Sequence, residues 1–157
     1  MTENDLPFLE WDGKYCHFRR VYLEAFERFQ RGLSVLWVAD LPGPGVIGQV
    51  FIQLICDRTE LADGANRAYL YSFRVRPEYR SAGLGTRIMQ VVFEDLQRRD
   101  FRSLTLNVAK DNPRARKLYE RNHFRIVAHE QGCWTFQNEK GGWQTVEEPA
   151  WRMERRL

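Results

Sequence analysis

The run Arg76-Pro77-Glu78-Tyr79-Arg80-Ser81-Ala82-Gly83-Leu84-Gly85-Thr86 separates two different periodicities. Before it, Tyr69-Leu70-Tyr71-Ser72-Phe73-Arg74-Val75 is rich in aromatic residues and reads as a strand. After it the spacing predicts a helix over 86–99. Leu84, Ile88, Val91, Val92 and Leu96 form its buried stripe, and Arg98, Arg99 and Asp100 close its exposed end. A strand, a basic glycine-containing turn and a helix leave unpaired backbone N–H groups at a helix start, where the dipole favours anions. Gly83 and Gly85 have no side chain to hold a phosphate away, and Arg76, Arg80 and Arg87 add positive charge nearby. The stretch therefore reads as a diphosphate-binding loop, with an ordinary strand-to-helix turn as the plain alternative. A dinucleotide fingerprint would need a third glycine where this chain has Ile88, and a P-loop would need a lysine followed by Ser or Thr.

Outward from that loop, 157 residues suit a single domain spanning 1–157. The net charge of +3 is mild, but arginine is concentrated between Arg74 and Lys117. The basic residues do not form one long run, which favours a small ligand with several phosphates over nucleic acid. Cys16, Cys56 and Cys133 are far apart and have no metal spacing, so buried free thiols and no metal are expected. The N-terminus is acidic and polar, and no apolar run approaches ~18 residues, so a cytoplasmic protein without membrane association is expected.

Along the chain, Leu6 to Trp11 reads as a short edge strand because of Pro7. A helix follows from Asp12 or Gly13, with Phe18, Val21, Tyr22, Ala25, Phe26 and Phe29 on one face and Gly32 as its stop. Leu33 to Ala39 and Val46 to Cys56 read as a hairpin around Leu41-Pro42-Gly43-Pro44-Gly45, with Gly48 a bulge or close-approach point. Asp57 to Arg67 is a polar loop, and Ala68 to Val75 is the strand that feeds the anion loop. Ser103 to Ala109 alternates as a strand, so strand, helix and strand imply a parallel pair. Asn112-Pro113 marks a helix start, and Ala115, Leu118 and Tyr119 lie on one face of a helix ending near Asn122. Phe124 to Ala128, Cys133 to Gln137 and Trp151 to Leu157 read as strands, with Lys140-Gly141-Gly142 as a turn.

Arg80-x-x-Gly83-x-Gly85 after a strand resembles the acetyl-CoA-binding motif of the GNAT superfamily of N-acetyltransferases. Leu104-x-Leu106-x-Val108-x-x-x-Asn112-x-x-Ala115-x-x-Leu118-Tyr119-x-x-x-His123-Phe124 resembles that family's second motif, with His123 where the family has glycine. Asn122 is expected to take the left-handed cap role in its place. The two motifs cover roughly residues 69 to 128, and the closing run Arg152-Met153-Glu154-Arg155-Arg156-Leu157 resembles the family's last strand. The resemblance implies an α/β (α+β) fold. Its central sheet would be mixed and mostly antiparallel, with a splayed parallel strand pair and flanking helices.

The resemblance also implies transfer of an acetyl group from acetyl-CoA, as co-substrate, to a primary amine of a small molecule or peptide. It assigns the pyrophosphate to Arg80, Ser81, Ala82, Gly83, Leu84, Gly85 and Thr86. Backbone N–H groups at Phe73, Arg74 and Val75 would hold the pantetheine arm and polarise the thioester. Asn112 would bind the coenzyme, although capping alone also explains it, and Arg114 or Lys117 would meet a phosphate. Tyr119 matches the family tyrosine near the thioester sulfur, where a hydrogen bond to the thiolate is easier than full proton transfer, which is uphill by about 2 kcal/mol on reference pKa values. A core tyrosine is the plain alternative.

The general base is not legible. No carboxylate lies between Ala65 and Pro77, and Asn107 on the strand facing the expected cleft can orient a water but cannot take up a proton. Ser72 could likewise hold a water, so a water relay or an acceptor amine of low pKa is expected. Glu24, Glu27, Asp57 and Glu60 are more distant alternatives, and His17, His123 and His129 have no partner motif. Trp134, Phe136 and Trp143 read as an acceptor wall or as hairpin packing. The rival from another class is a non-catalytic acyl-CoA-binding module on the same fold. Many relatives dimerise, so a homodimer stays open, while nucleic acid is not expected.

Overall fold

A computed structural model describes residues 1–137 and 140–157. Eight strands form in chain order: β1 (Ser34–Leu41), β2 (Gly45–Gln53), β3 (Arg67–Val75), β4 (Ser103–Ala109), β5 (Arg125–Glu130), β6 (Cys133–Gln137), β7 (Trp143–Glu147) and β8 (Ala150–Arg156). The α-helices are α1 (Arg19–Gln30), α2 (Leu84–Arg98) and α3 (Pro113–Arg121). Six strands make one sheet in the order β1-β2-β3-β4-β8-β5, and β6 and β7 pair as a separate hairpin. Within the larger sheet only β3 and β4 are parallel.

Alternation along the strands divides the interior into two layers. Val50 and Ile52 join Leu70, Leu104, Leu106 and Met153 under Ile88, Met89, Val92, Phe93 and Leu96 of α2. Their neighbour Phe51 points the other way and packs with Tyr22, Ala25 and Phe26 of α1. The sheet therefore lies between α2 and α3 on one face and α1 with the N-terminal segment on the other. Met89 and Phe93 supply the part of the α2 stripe that was assigned to Val91, which is exposed.

Several local expectations are corrected. Residues Glu3–Glu10 are a 3-10 helix and not an edge strand. The Thr2 N–H donates to Asp5 Oδ2 at 2.6 Å, which starts a helical turn, and the fixed φ of Pro7 is compatible with it. Turns and a short 3-10 segment, Cys16–Phe18, delay α1 to Arg19. His123 itself takes the left-handed conformation with φ 63°, whereas Asn122 stays at φ −92° and its side chain donates to the Leu118 carbonyl at 2.8 Å. The strand β7 was not anticipated. Trp143 on it is exposed, while the side chains of Cys133, Trp134 and Phe136 lie outside the described residues.

Two bulges shape the centre of the sheet. Ala39 pairs with Gly48 and Asp40 with Val46, so Ile47 is the extra residue on β2. Gln49 pairs with Arg74 and Phe51 with Tyr71, so Ser72 and Phe73 on β3 face the single Val50. Ser72 holds φ 51°, an uncommon conformation for a residue with a Cβ. Gln49, which is fully buried, fixes it by donating from Nε2 to the Ser72 hydroxyl at 3.0 Å and carbonyl at 3.3 Å.

Candidate functional site

The β3 bulge reverses the alternation of the strand where it enters the site. Tyr69 and Tyr71 stack with ring centres 6.0 Å apart on the α1 face, and Tyr71 meets Phe51 at 5.6 Å. Without the bulge Phe73 would share that face. Instead it reaches Tyr119 of α3, ring centres 6.5 Å apart, and Arg74 crosses to the aromatic residues before α1. Pairing of β3 with β4 runs from Arg67 opposite Ser103 to Leu70 opposite Leu106. Beyond that point each strand continues, to Val75 and to Ala109, without pairing with the other. The parallel pair is splayed.

A cavity of about 700 Å³ opens at this splay. Its lining contains Phe73, Arg74, Val75, Arg80, Ser81, Gly83, Gly85, Thr86, Asn112, Arg114 and Tyr119. Residues from both sequence motifs thus meet in one space. Ala82 and Lys117 are exposed outside it, and Leu84 packs against the α2 core. Asn107 is also outside the lining. Its Oδ1 is buried and has no hydrogen-bond partner among the described residues.

Each wall has a local cause. Ser81 at φ 67° and Gly83 at φ 80° curl the loop ahead of α2, and Gly83 is the residue that caps that helix. A Cβ on Gly83 would find nothing within 4 Å, so the space beside it is open. A Cβ on Gly85 would lie 3.4 Å from Leu118 and 3.6 Å from Phe73, ordinary contact distances at the point where α2, α3 and β3 meet. Asn112 Oδ1 accepts the Ala115 N–H at 3.1 Å, the cap read from the sequence, and Pro113 is the first helical residue. Arg114 leans back from α3 to donate to the Ser81 hydroxyl at 3.1 Å, joining the two motifs.

The lining is electropositive: Arg80, Arg114 and Arg121 contribute to it, and no acidic residue does among the described residues. The open space at Gly83 and the curled N–H run suit a phosphorylated ligand. Tyr119 is buried, and burial raises its phenol above the usual tyrosine range, with the neighbouring Tyr69 adding to the effect. At neutral pH it is a hydrogen-bond donor. Tyr15, Ala115, Leu118 and Arg121 line the cavity although the sequence reading did not place them there. Arg121 follows Arg114 and Leu118 at helical spacing, a signal that was available. Tyr15 arrives from another element, and no local pattern announces it.

On the opposite face of the sheet several carboxylates are held by arginines. Arg58 binds Glu60 at 2.7 Å and Glu130 at 2.9 Å, and Arg152 lies 3.4 Å from Glu130 and 3.8 Å from Glu60. Hydrogen bonding from Arg58 holds the Glu60 carboxyl below its ordinary range. Glu24 pairs with Arg20 at 2.8 Å. Among the described residues, no group of three or more metal-binding side chains could hold an ion, and no helix is long and apolar enough to cross a membrane.

Comparison with solved structures places this architecture. The ribosomal-protein-S18-alanine N-acetyltransferase of Escherichia coli superposes with a TM-score of 0.70 at 19% identity, over 100% of this chain and 90% of that one. A spermidine N-acetyltransferase chimera with Vibrio cholerae sequence gives 0.71 at 18% identity, over 99% and 92%. A Bacillus anthracis protein in complex with acetyl coenzyme A gives 0.59 at 21% identity, over 79% and 62%. At such identities these likenesses concern the fold. The sequence model of the Acetyltransferase (GNAT) family matches residues 4–124, which hold both motifs and most of the cavity, and the chain therefore belongs to the GNAT acetyltransferase family.

Proposed function

We propose that this protein is an N-acetyltransferase that moves an acetyl group from acetyl-CoA to a primary amine by direct attack in a ternary complex. The observation that carries this reading is the meeting of both motifs in one electropositive cavity at the splay of β3 and β4. Arg80 to Thr86 hold the pyrophosphate, with Arg114 steadied on Ser81 beside it. Asn112 contributes its amide, and the Phe73–Val75 backbone receives the pantetheine arm. As the amine nitrogen bonds to the thioester carbon, charge develops on the carbonyl oxygen, where backbone N–H groups stabilise it. When the carbon–sulfur bond breaks, Tyr119 donates a hydrogen bond to the leaving thiolate, and the proton lost by the amine nitrogen passes through water to solvent or to that thiolate. Burial holds its phenol protonated, which suits donation and disfavours complete proton transfer. Asn107, with its unpartnered Oδ1, orients a water or the incoming amine.

The acceptor supplies its own reactivity. Glu24, Glu60 and Glu130 are all engaged by arginines, and the hydrogen bond from Arg58 makes Glu60 a weaker base. An α-amine of pKa near ~7.8 is roughly one-third neutral at pH 7.5, whereas a lysine amine near ~10.4 is about 0.1% neutral. The low-pKa amine, a peptide N-terminus, is the acceptor this site suits. The same engaged carboxylates favour a second reading, a module that binds acyl-CoA without turning it over.

Calorimetric titration with acetyl-CoA tests the coenzyme site on the native chain, Gly83→Asn and Gly83→Asp. Both substitutions tolerate positive φ, and they differ by one charge. Binding that falls much further in Gly83→Asp than in Gly83→Asn supports the pyrophosphate assignment, and a folded native chain that does not bind refutes it. Thiol release with an α-amine peptide set against an Nα-blocked lysine peptide then separates the enzyme from the binding module.

A further inference from the structure

Arg74 lines the cavity, and its guanidinium lies among the aromatic residues that precede and begin α1. Its guanidinium carbon lies 4.3 Å from the ring centre of Tyr15, 4.5 Å from that of Phe18 and 6.0 Å from that of Tyr22. It also donates a hydrogen bond to the Tyr22 hydroxyl. Tyr22 is a fixed base for this cage, 1% exposed and edge-on to Phe51 at 5.9 Å. Tyr15 and Phe18 belong to the turns and short 3-10 segment that precede α1. Arg76, just past the end of β3, repeats the device. It lies 5.5 Å from the Trp11 ring and 3.6 Å from Asp12, and its Nε donates to the Val46 carbonyl. Residues 11–18 are therefore held down by arginines from the strand that forms the cavity. Tyr15, inside that segment, lines the same cavity as Arg74.

We propose that Arg74 is a positioning residue that clips residues 11–18 onto β3, so that Tyr15 closes one side of the coenzyme cavity and a bound coenzyme tightens the clip. The coupling rests on the coenzyme reading above; the clip itself does not. A ligand filling the cavity contacts Tyr15 only when the segment is down, so it binds the clipped state better and shifts the population toward it. The same closure makes Tyr15 a wall that an acceptor amine passes on its way to the splay.

Trypsin reads the clip directly, because Lys14, Arg19 and Arg20 are exposed in and beside the segment. Cleavage there is followed by mass, with cleavage at Arg98 and Arg99 in the same digest as the internal reference. Arg74→Gln is expected to raise N-terminal cleavage about tenfold with the reference unchanged, since cleavage tracks the open population. Arg74→Lys falls between, because an ammonium keeps the charge over the rings but loses the planar stack. Saturating coenzyme A slows N-terminal cleavage several-fold in the native chain and less in Arg74→Gln. Equal N-terminal rates in native and Arg74→Gln, or an equal rise at the reference sites, overturn the clip. Coenzyme A that binds by calorimetry but leaves native cleavage unchanged overturns the coupling. Coenzyme A that does not bind refutes the coupling together with the coenzyme reading, and the ligand-free comparison still decides the clip.

Discussion

Asn112 is where the cap of α3 and the proposed coenzyme site share one side chain, and substitution separates the two roles. Its Oδ1 accepts one N–H at 3.1 Å at an exposed helix start. Asn112→Ala removes that bond and costs about 1 kcal/mol, within the usual range for a lost cap. For a chain of this size that lowers Tm by roughly 2–4 °C. Asn112→Asp keeps an acceptor of the same shape and adds a negative charge at the positive end of α3, which contributes about 0.3–1 kcal/mol of stability. Stability should therefore rank Asp at or above Asn, and Asn above Ala. Affinity for acetyl-CoA should rank differently. Alanine loses the amide contact, whereas aspartate sets a like charge beside a diphosphate. At ~5 Å in high dielectric, one added charge facing two costs about 1–2 kcal/mol, roughly tenfold in Kd. Urea unfolding at pH 7.5 and calorimetric titration on the same three proteins provide both rankings. If Asn112→Asp binds acetyl-CoA as well as the native chain, Asn112 is a cap and nothing more, and the phosphates lie elsewhere.

Three further outcomes follow from particular contacts. Burial pushes the phenols of Tyr69 and Tyr71 up to about 12 and raises that of Tyr119 as well, so the folded state favours their neutral forms. Their contribution to stability is complete below the ordinary tyrosine pKa near 10 and is lost as the pH rises toward 12. Absorbance at ~295 nm should show these phenols ionising only with unfolding, and smooth ionisation of all six tyrosines around pH 10 would contradict their burial. Burial also pushes the Asp63 carboxyl up, but N–H bonds from Arg67, Ala65 and Asn66 outweigh that and hold it below 3.8. Asp63→Ala should cost about 1–3 kcal/mol at pH 7, and the gap from the native chain should close as the pH falls below the ordinary carboxylate value. A Cβ on Gly48 would lie 3.0 Å from Ile88 Cδ1 and 3.3 Å from the Arg74 carbonyl oxygen. Gly48→Ala should destabilise by about 1 kcal/mol and Gly48→Val by more, with weaker acetyl-CoA binding as the end of β3 shifts. A stabilised Gly48→Ala would show that β3 yields freely at that point.

The sequence by itself determined the elements whose causes are local. The strand before Arg76, the curled loop at Gly83, the Asn112-Pro113 cap and β4 over residues 103–109 each follow from periodicity or from one residue's backbone chemistry. That is why most of the loop that lines the cavity could be named in advance. The tertiary structure decided what depends on partners distant in the chain. Ser72 accepts a left-handed conformation because Gln49, on the neighbouring strand, satisfies its hydroxyl and carbonyl in a buried setting. That single bulge turns Phe73 toward Tyr119 and Arg74 toward the α1 face, opposite to the alternation a strand implies. Tyr15 reaches the cavity for the same reason, since the arginine cage that holds it spans the sheet. Glu60 and Glu130 are engaged by arginines because Arg58 and Arg152 meet them across the fold. Local pattern sets which residues can form a strand, a turn or a cap; which face a side chain takes at an irregularity, and which charge it finds there, is an energy shared among strands and is fixed only when they assemble.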